Sequence, residues 1–304
     1  MWDGPDPRSD DSRDREAADP REESRDPHDA LTRDLNLPRG MERERVHVHE
    51  HRQDYHLRGS EVRALATIGT FRVVPASDLR DDAGRQGDVR HGDLERLRSA
   101  GLIETVAPFD AGGERTMLVT LTERGRDVLE SHRTRGSGDS SQTYYAGHGS
   151  SRELTHDGQL YRAYLNAEER LRAEGSRVDR VLLDVELKRE YQRFLQDRNR
   201  GRADSDGRPG RSRSEIKEWA LDHDLRVVND RVQFPDLQIH HERDGRRDVE
   251  NVEVTTVHYR GSHASGKVAA GFSSFRGRSG RVGGAGSREG ASPFDPHSAE
   301  KLLR

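Results

Sequence analysis

The chain has 304 residues, of which 36% are charged and 30% apolar, with a net charge of −4 and no cysteine. That balance excludes one large core and points to two domains flanked by segments too polar to offset their ordering entropy. It also excludes disulfides, thiolate zinc sites and thiol nucleophiles, and no apolar run reaches the length of a membrane span or a signal-peptide core. A cytoplasmic protein that keeps away from membranes is expected. Positive charge is written almost wholly as Arg, the only lysines being Lys188, Lys217, Lys267 and Lys301. A lysine is therefore a residue whose own chemistry is worth asking about.

Residues 1–57 read as a disordered tail. The first thirty hold eleven acids against five arginines, and the only apolar patch is Leu31, Leu35 and Leu37, which has the makings of a docking contact. Order is expected from residue 58. Ser60 suits an N-cap for a helix carrying Val62, Leu65, Ala66 and Ile68 on one face. Pro75 opens a second helix with Leu79. A third helix runs from about Arg90 to Ala100, with Leu94 and Leu97 inward and Arg90, His91, Arg96 and Arg98 outward. Gly101 ends it. Leu102, Ile103 and Val106 form a strand, a turn follows at 110–113, and Met117, Val119 and Leu121 alternate along a second strand. Thr122 then caps a closing helix.

Three helices, a strand, a turn, a strand and a helix over residues 58–133 is winged-helix order. RHGDLERLRSAGLIETV followed by LVTLTERGRDVL resembles the MarR-type winged helix, whose last helix commonly opens on LTxxG. The resemblance implies that the third helix enters the DNA major groove and that the hairpin meets the backbone or minor groove. Arg90, His91, Arg96 and Arg98 are then the helix contacts and Arg115 the wing contact, arginine being suited to phosphate and guanine. Winged helices also serve as protein-interaction modules, the alternative reading of the same residues.

Residues 134–150 read as a Gly/Ser-rich linker. A second domain spans 151–272. Leu154, Leu160, Tyr164, Ala167 and Leu171 have helical spacing, with Gly175 as the stop, and His156-Asp157 near the start is a candidate functional pair. VDRVLLD is a strand and ELKREYQRFLQDR a charged helix. Residues 198–214 read as a flexible basic loop that would add salt-sensitive attraction to DNA. Ser214 caps the helix after it.

The stretch from Phe234 to Phe272 reads as two strands joined by a charged turn, a Gly/Ser/His loop and a helix. Pro235-Asp236 opens the first strand, Glu253 lies in the second and Lys267 falls in the helix. That order resembles the restriction-endonuclease-like, PD-(D/E)xK core, in which a mixed sheet is flanked by helices and the acids sit on adjacent strands. The resemblance implies Asp236 and Glu253 as metal ligands and Lys267 as the third catalytic residue, with Glu186 (or Glu190) completing the metal set. Mg²⁺ takes hard oxygen ligands and lowers the pKa of an attacking water, and an ammonium stabilises the developing charge. Thr255 stands where the motif has its lysine, and Lys267 is displaced into the following helix. Residues 58–272 together resemble replication-relaxation proteins of plasmids and integrative elements.

Gly261, Gly266 and Lys267 also fit G-x-x-x-x-G-K. Val268 replaces the hydroxyl that should follow, and the preceding strand carries charge where a buried parallel strand would be apolar, so a chance match is the better account. His240 and His241 point to opposite faces of a strand, which argues against zinc. Residues 273–304 read as a Gly/Arg-rich tail. The expected fold is α+β: an N-terminal winged helix-turn-helix, then a mixed α/β restriction-endonuclease-like domain, with disordered tails. The expected partner is double-stranded DNA, with a homodimer as an assembly to test. The function is replication or DNA processing, by Mg²⁺-dependent nicking or cleavage or, alternatively, as a non-catalytic regulator with a degenerate nuclease fold.

Overall fold

The computed structural model describes residues 29–49, 52–79, 91–111, 114–134, 141–149, 153–199, 210–255, 262–277 and 280–282. The fold is a mixture of helices and sheets, in agreement with the expected α+β class. The first ordered elements arise inside the stretch expected as a tail. Helix α1 (Asp29–Thr32) leads to a hairpin of β1 (Glu44–Val48) and β2 (Gln53–Leu57), paired Val46 to Tyr55 and Val48 to Gln53. Each strand turns two apolar side chains inward and its charged ones outward, so Val46, Val48, Tyr55 and Leu57 are buried. Leu31, Leu35 and Leu37 join the same core. Disorder is thus corrected for residues 29–49 and 52–57; residues 1–28, 50 and 51 lie outside the described residues.

Helix α2 (Gly59–Phe71) begins one residue before the expected cap: its N-cap is Arg58, and the Ser60 hydroxyl instead donates to Asp93. Where a second helix was expected at Pro75, the chain forms the short strand β3 (Val74–Pro75) and one 3₁₀ turn, Ala76–Asp78. Helix α3 (His91–Ser99) follows, and β4 (Ile103–Ala111) and β5 (Glu114–Leu121) pair antiparallel with a bulge between Thr105 and Ala107. Leu118, Val119 and Leu121 are buried, whereas Met117, read in alternation with Val119 and Leu121, is exposed.

Thr122 caps α4 (Glu123–Ser131) as expected, its hydroxyl accepting from the Gly125 N–H at 3.1 Å and donating to the Gly101 carbonyl at 2.6 Å. The glycine of LTxxG has a steric cause, because a Cβ at Gly125 would run into the Leu102 backbone carbonyl. Backbone cannot retreat as a side-chain tip can, so Gly125→Ala is expected to cost about 2–3 kcal/mol, at the upper end for overpacking. Urea unfolding checks this, and an unchanged midpoint would contradict it.

Residues 141–149, expected as linker, are packed against the sheet edge. The Gln142 amide exchanges two hydrogen bonds with the Val181 backbone, and the buried Tyr144 hydroxyl donates to the Leu31 carbonyl at 2.6 Å. Helix α5 (Leu154–Ala173) ends before Gly175, whose φ of +78° suits glycine. Its Tyr161 and Tyr164 rings each lie 5.1 Å from Phe71 of α2. One core cluster therefore runs from Ala30 through α2 and α5 to Val254.

Strand β6 (Arg177–Leu183) is followed by helices α6 (Asp184–Gln196) and α7 (Arg213–Asp222), a small hairpin of β7 (Arg226–Val228) and β8 (Arg231–Gln233), then β9 (Leu237–Arg243) and β10 (Arg246–Thr255). The α7 cap is Ser212, in a capping box with Glu215, rather than Ser214. Part of the expected flexible loop is therefore built: Arg211 lies 4.3 Å over the Phe194 ring, while residues 200–209 are outside the described residues. Helix α8 (Ser262–Ala269) crosses to β11 (Ser273–Arg276), and β12 (Gly280–Val282) ends the described chain.

The sheet order β11-β10-β9-β6 places β6, β9 and β10 in an antiparallel meander, with β11 parallel to β10. The segment expected as a tail thus completes this sheet. Strand β12 then pairs with β4 in the other sheet, ordered β12-β4-β5-β3. Backbone pairing explains both additions, since β11 contributes one half-buried aromatic, Phe275.

Candidate functional site

Asp236 sits where the chain enters β9. Its carbonyl accepts from the Asp184 N–H at 3.3 Å, which keys it to the end of β6, and its Oδ2 accepts from the Val254 N–H at 2.8 Å. The β9–β10 register pairs Leu237 with Val252; one step further sets Asp236 against Glu253. Opposite positions share a face, which brings the two acids together. Leu237, Ile239, Val252 and Val254 are buried in the large core, while Gln238 bonds Asn251 across the other face.

Lys267, in the last turn of α8, brings its Nζ to 2.6 Å from Glu253 Oε2 and also donates to the Phe234 carbonyl. The pair is largely enclosed, with 17% of the Lys267 side chain and 5% of the Glu253 side chain exposed. The three catalytic candidates of the sequence thus meet in one place.

The structure adds a residue to them. His156, in the first turns of α5, places Nε2 3.1 Å from Asp236 Oδ2 and Nδ1 3.6 Å from Asp157 Oδ1. Burial opposes its charge, but the Asp157 and Asp236 carboxylates outweigh that and push the imidazole up to about 10. It stands there as imidazolium. Burial likewise works against the Asp236 carboxylate, yet His156, the Val254 N–H and Lys267 together hold its pKa below the ordinary aspartate value. Asp157 is buried in turn; its Oδ2 has no hydrogen bond, and the Arg72 guanidinium is 3.8 Å away. The sequence flags His156-Asp157 as a pair, but nothing local signals that α5 delivers it to Asp236.

Glu186 is engaged elsewhere. Its carboxylate accepts from Thr143 Oγ1 at 2.9 Å, the Tyr145 hydroxyl at 3.1 Å and Arg180 at 2.6 Å. It ties the 141–149 segment to the β6–α6 junction, and burial together with its charge raises the Tyr145 pKa. Glu190 lies 3.8 Å from His223 Nε2.

The candidate DNA contacts are unevenly disposed. Arg96 is half exposed and turned back on Glu61, Nε to Oε1 at 3.2 Å, and Arg98 pairs with Glu95 at 2.9 Å. Arg115 is exposed on β5, opposite Asp110 in the register. Arg90 and the His91 side chain lie outside the described residues. Helix α3 is seated by charge as much as by Leu97: Asp93, 1% exposed, takes the Arg58 guanidinium and the Ser60 hydroxyl.

The chain matches no family model, no curated protein and no solved structure. A magnesium ion takes oxygen ligands in near-octahedral geometry. Among the described residues, no three His, Asp or Glu side chains are arranged to hold a metal ion. The two carboxylates that would begin such a set each carry an internal cation instead, His156 on Asp236 and Lys267 on Glu253. As arranged, the residues do not fit the implied Mg²⁺. Among the described residues, no helix is long and apolar enough to cross a membrane.

Proposed function

We propose that the chain is a DNA-binding protein of the kind found on plasmids and other mobile elements, acting in replication or DNA processing. In this reading residues 59–131 are a winged-helix reader and α5–β11 a nuclease-like core. The observation that carries it is the meeting of Asp236, Glu253 and Lys267. Asp236 leads into β9, Glu253 lies on the adjacent strand β10 of a mixed sheet, and the following helix supplies Lys267. That is the disposition the restriction-endonuclease resemblance calls for. The order of α2, α3, β4, β5 and α4, with Thr122 and Gly125 performing the cap and the close contact of LTxxG, supports the reader.

A second reading, in which the core binds DNA without cutting it, is favoured over cleavage by the internal cations on both acids. DNA affinity would then rest on arginine–phosphate contacts, which are salt-sensitive because each releases counterions. Fluorescence anisotropy of a labelled duplex at rising salt tests this. Wild type is expected to show a linear fall of log affinity with log salt. Arg98→Ala and Arg115→Ala are each expected to weaken binding and reduce the slope by about 1. Absence of duplex binding by wild type at low salt would sink the proposal.

A further inference from the structure

Two arginines share one buried carboxylate beside α3. Glu61, in the first turn of α2, is fully buried, and its Oε1 takes the Arg43 Nη2 at 3.1 Å and the Arg96 Nε at 3.2 Å. Its Oε2 accepts from the Arg58 N–H at 3.1 Å. The Arg43 and Arg96 side chains are 31% and 54% exposed. Among the described residues neither guanidinium has a second partner. The Arg58 guanidinium is closed on Asp93, which also takes the Ser60 hydroxyl. Three guanidiniums therefore face two carboxylates, and the unmatched positive charge falls on Arg43 and Arg96. Backbone pairing fixes Arg43 in this place. The β1–β2 register of Glu44 with Leu57 sets it one step on, opposite Arg58, and the Gly59 N–H donates to the Gly40 carbonyl at 2.8 Å.

A buried carboxylate needs a cation, and one guanidinium supplies it. A second on the same oxygen is repelled by the first, and an anion placed between their free N–H groups relieves that repulsion. We infer that Arg43 and Arg96 form one seat for a backbone phosphate of duplex DNA, with Glu61 as the buried anchor that holds both guanidiniums in place. The inference rests on the DNA-binding reading and extends its footprint from α3 to the segment before β1, outside the winged helix. Arginine suits this partner because its planar fork presents paired donors to phosphate oxygens. The contact is to the backbone, so it positions α3 on the duplex and carries no sequence preference.

The probe is a labelled duplex, followed by fluorescence anisotropy with full-length wild type, Arg43→Met, Arg43→Lys, Arg96→Met and Glu61→Gln, each checked for folding by circular dichroism. Arg43→Met and Arg96→Met are each expected to weaken binding to unrelated duplexes alike. Each should also reduce the slope of log affinity against log salt by about 1, because Glu61 consumes the arginine that remains. Arg43→Lys is expected to keep the wild-type slope. Glu61→Gln retains an acceptor for both arginines and removes the charge that offsets them. It is expected to bind about threefold tighter at low salt, the factor that one unit charge about 6 Å from a phosphate gives in water. A folded Arg43→Met with an unchanged slope overturns the inference, as does a folded Glu61→Gln that gains nothing; wild-type duplex binding would leave the proposed function standing in both cases. If Glu61→Gln does not fold, the slopes of the arginine variants decide by themselves. A wild type that binds no duplex removes the proposed function and this seat together.

Discussion

Lys267→Met is expected to lower stability by about 3–5 kcal/mol, and adding Glu253→Gln to that variant to restore a substantial part of the loss. The Glu253 side chain is 5% exposed, and the Lys267 ammonium is set 2.6 Å from it. Removing the ammonium breaks a largely enclosed ion pair, and breaking such a pair costs far more than an exposed pair is worth, about 0–1 kcal/mol. Glutamine removes the buried charge. Recovery should stop short of wild type, because Lys267 also donates to the Phe234 carbonyl and lies 5.6 Å over the Phe272 ring. Those contacts pin the entry to β9 and the exit of α8. A double-mutant cycle by urea denaturation measures the coupling, with about 0.5–3 kcal/mol expected for residues in contact. A single-variant loss below about 1 kcal/mol would place the pair in solvent and contradict the enclosed site.

Arg162→Ala carries the second large effect. Arg162 of α5 holds Asp78 of the 3₁₀ turn with two guanidinium hydrogen bonds, the Nη2–Oδ1 bond being 2.9 Å. The Asp78 side chain is 2% exposed. The guanidinium also lies 5.7 Å over the Phe109 ring. Truncation removes the bidentate partner of a buried acid and a packed side-chain stem at once, so a loss of about 3–5 kcal/mol is expected. Total stabilities are about 5–15 kcal/mol, so this is a large share. Because the pair joins the turn after β3 to α5, the loss should appear as one cooperative transition in which both sheets melt together. Two resolved transitions, with only the first displaced, would show instead that the halves fold separately and that the shared core is not a single unit.

The sequence made the second half legible where local patterns carry the information. Spacing along α5, the apolar run of β6 and the two strands around the charged turn at Asp244 and Gly245 all lie near their expected positions. Both turn residues have positive φ, 52° and 74°. The order Asp236, Glu253, Lys267 was legible too, though only the fold sets a distance on it. What escaped has two physical causes. Strands β1 and β2 bury two side chains each and β11 only half-buries Phe275; all three are held by backbone pairing, which leaves almost no periodic signal in so charged a background. His156 escaped because its partner Asp236 is delivered by a distant strand, and a His-Asp dipeptide on a helix carries no mark of that. Glu186 shows the reverse error: an acid near the right strand end proved to belong to Thr143, Tyr145 and Arg180. Arg96, expected to point at DNA, answers Glu61, which has no exposed surface.

In the function proposed, Asp236 and Glu253 are already engaged by His156 and Lys267. The most direct measurement follows supercoiled plasmid incubated with wild type in Mg²⁺ or Mn²⁺, beside Asp236→Ala and Glu253→Ala, with binding monitored in the same samples. Duplex binding with the plasmid left supercoiled is expected in every sample. Metal-dependent nicking by wild type that both substitutions abolish would contradict it.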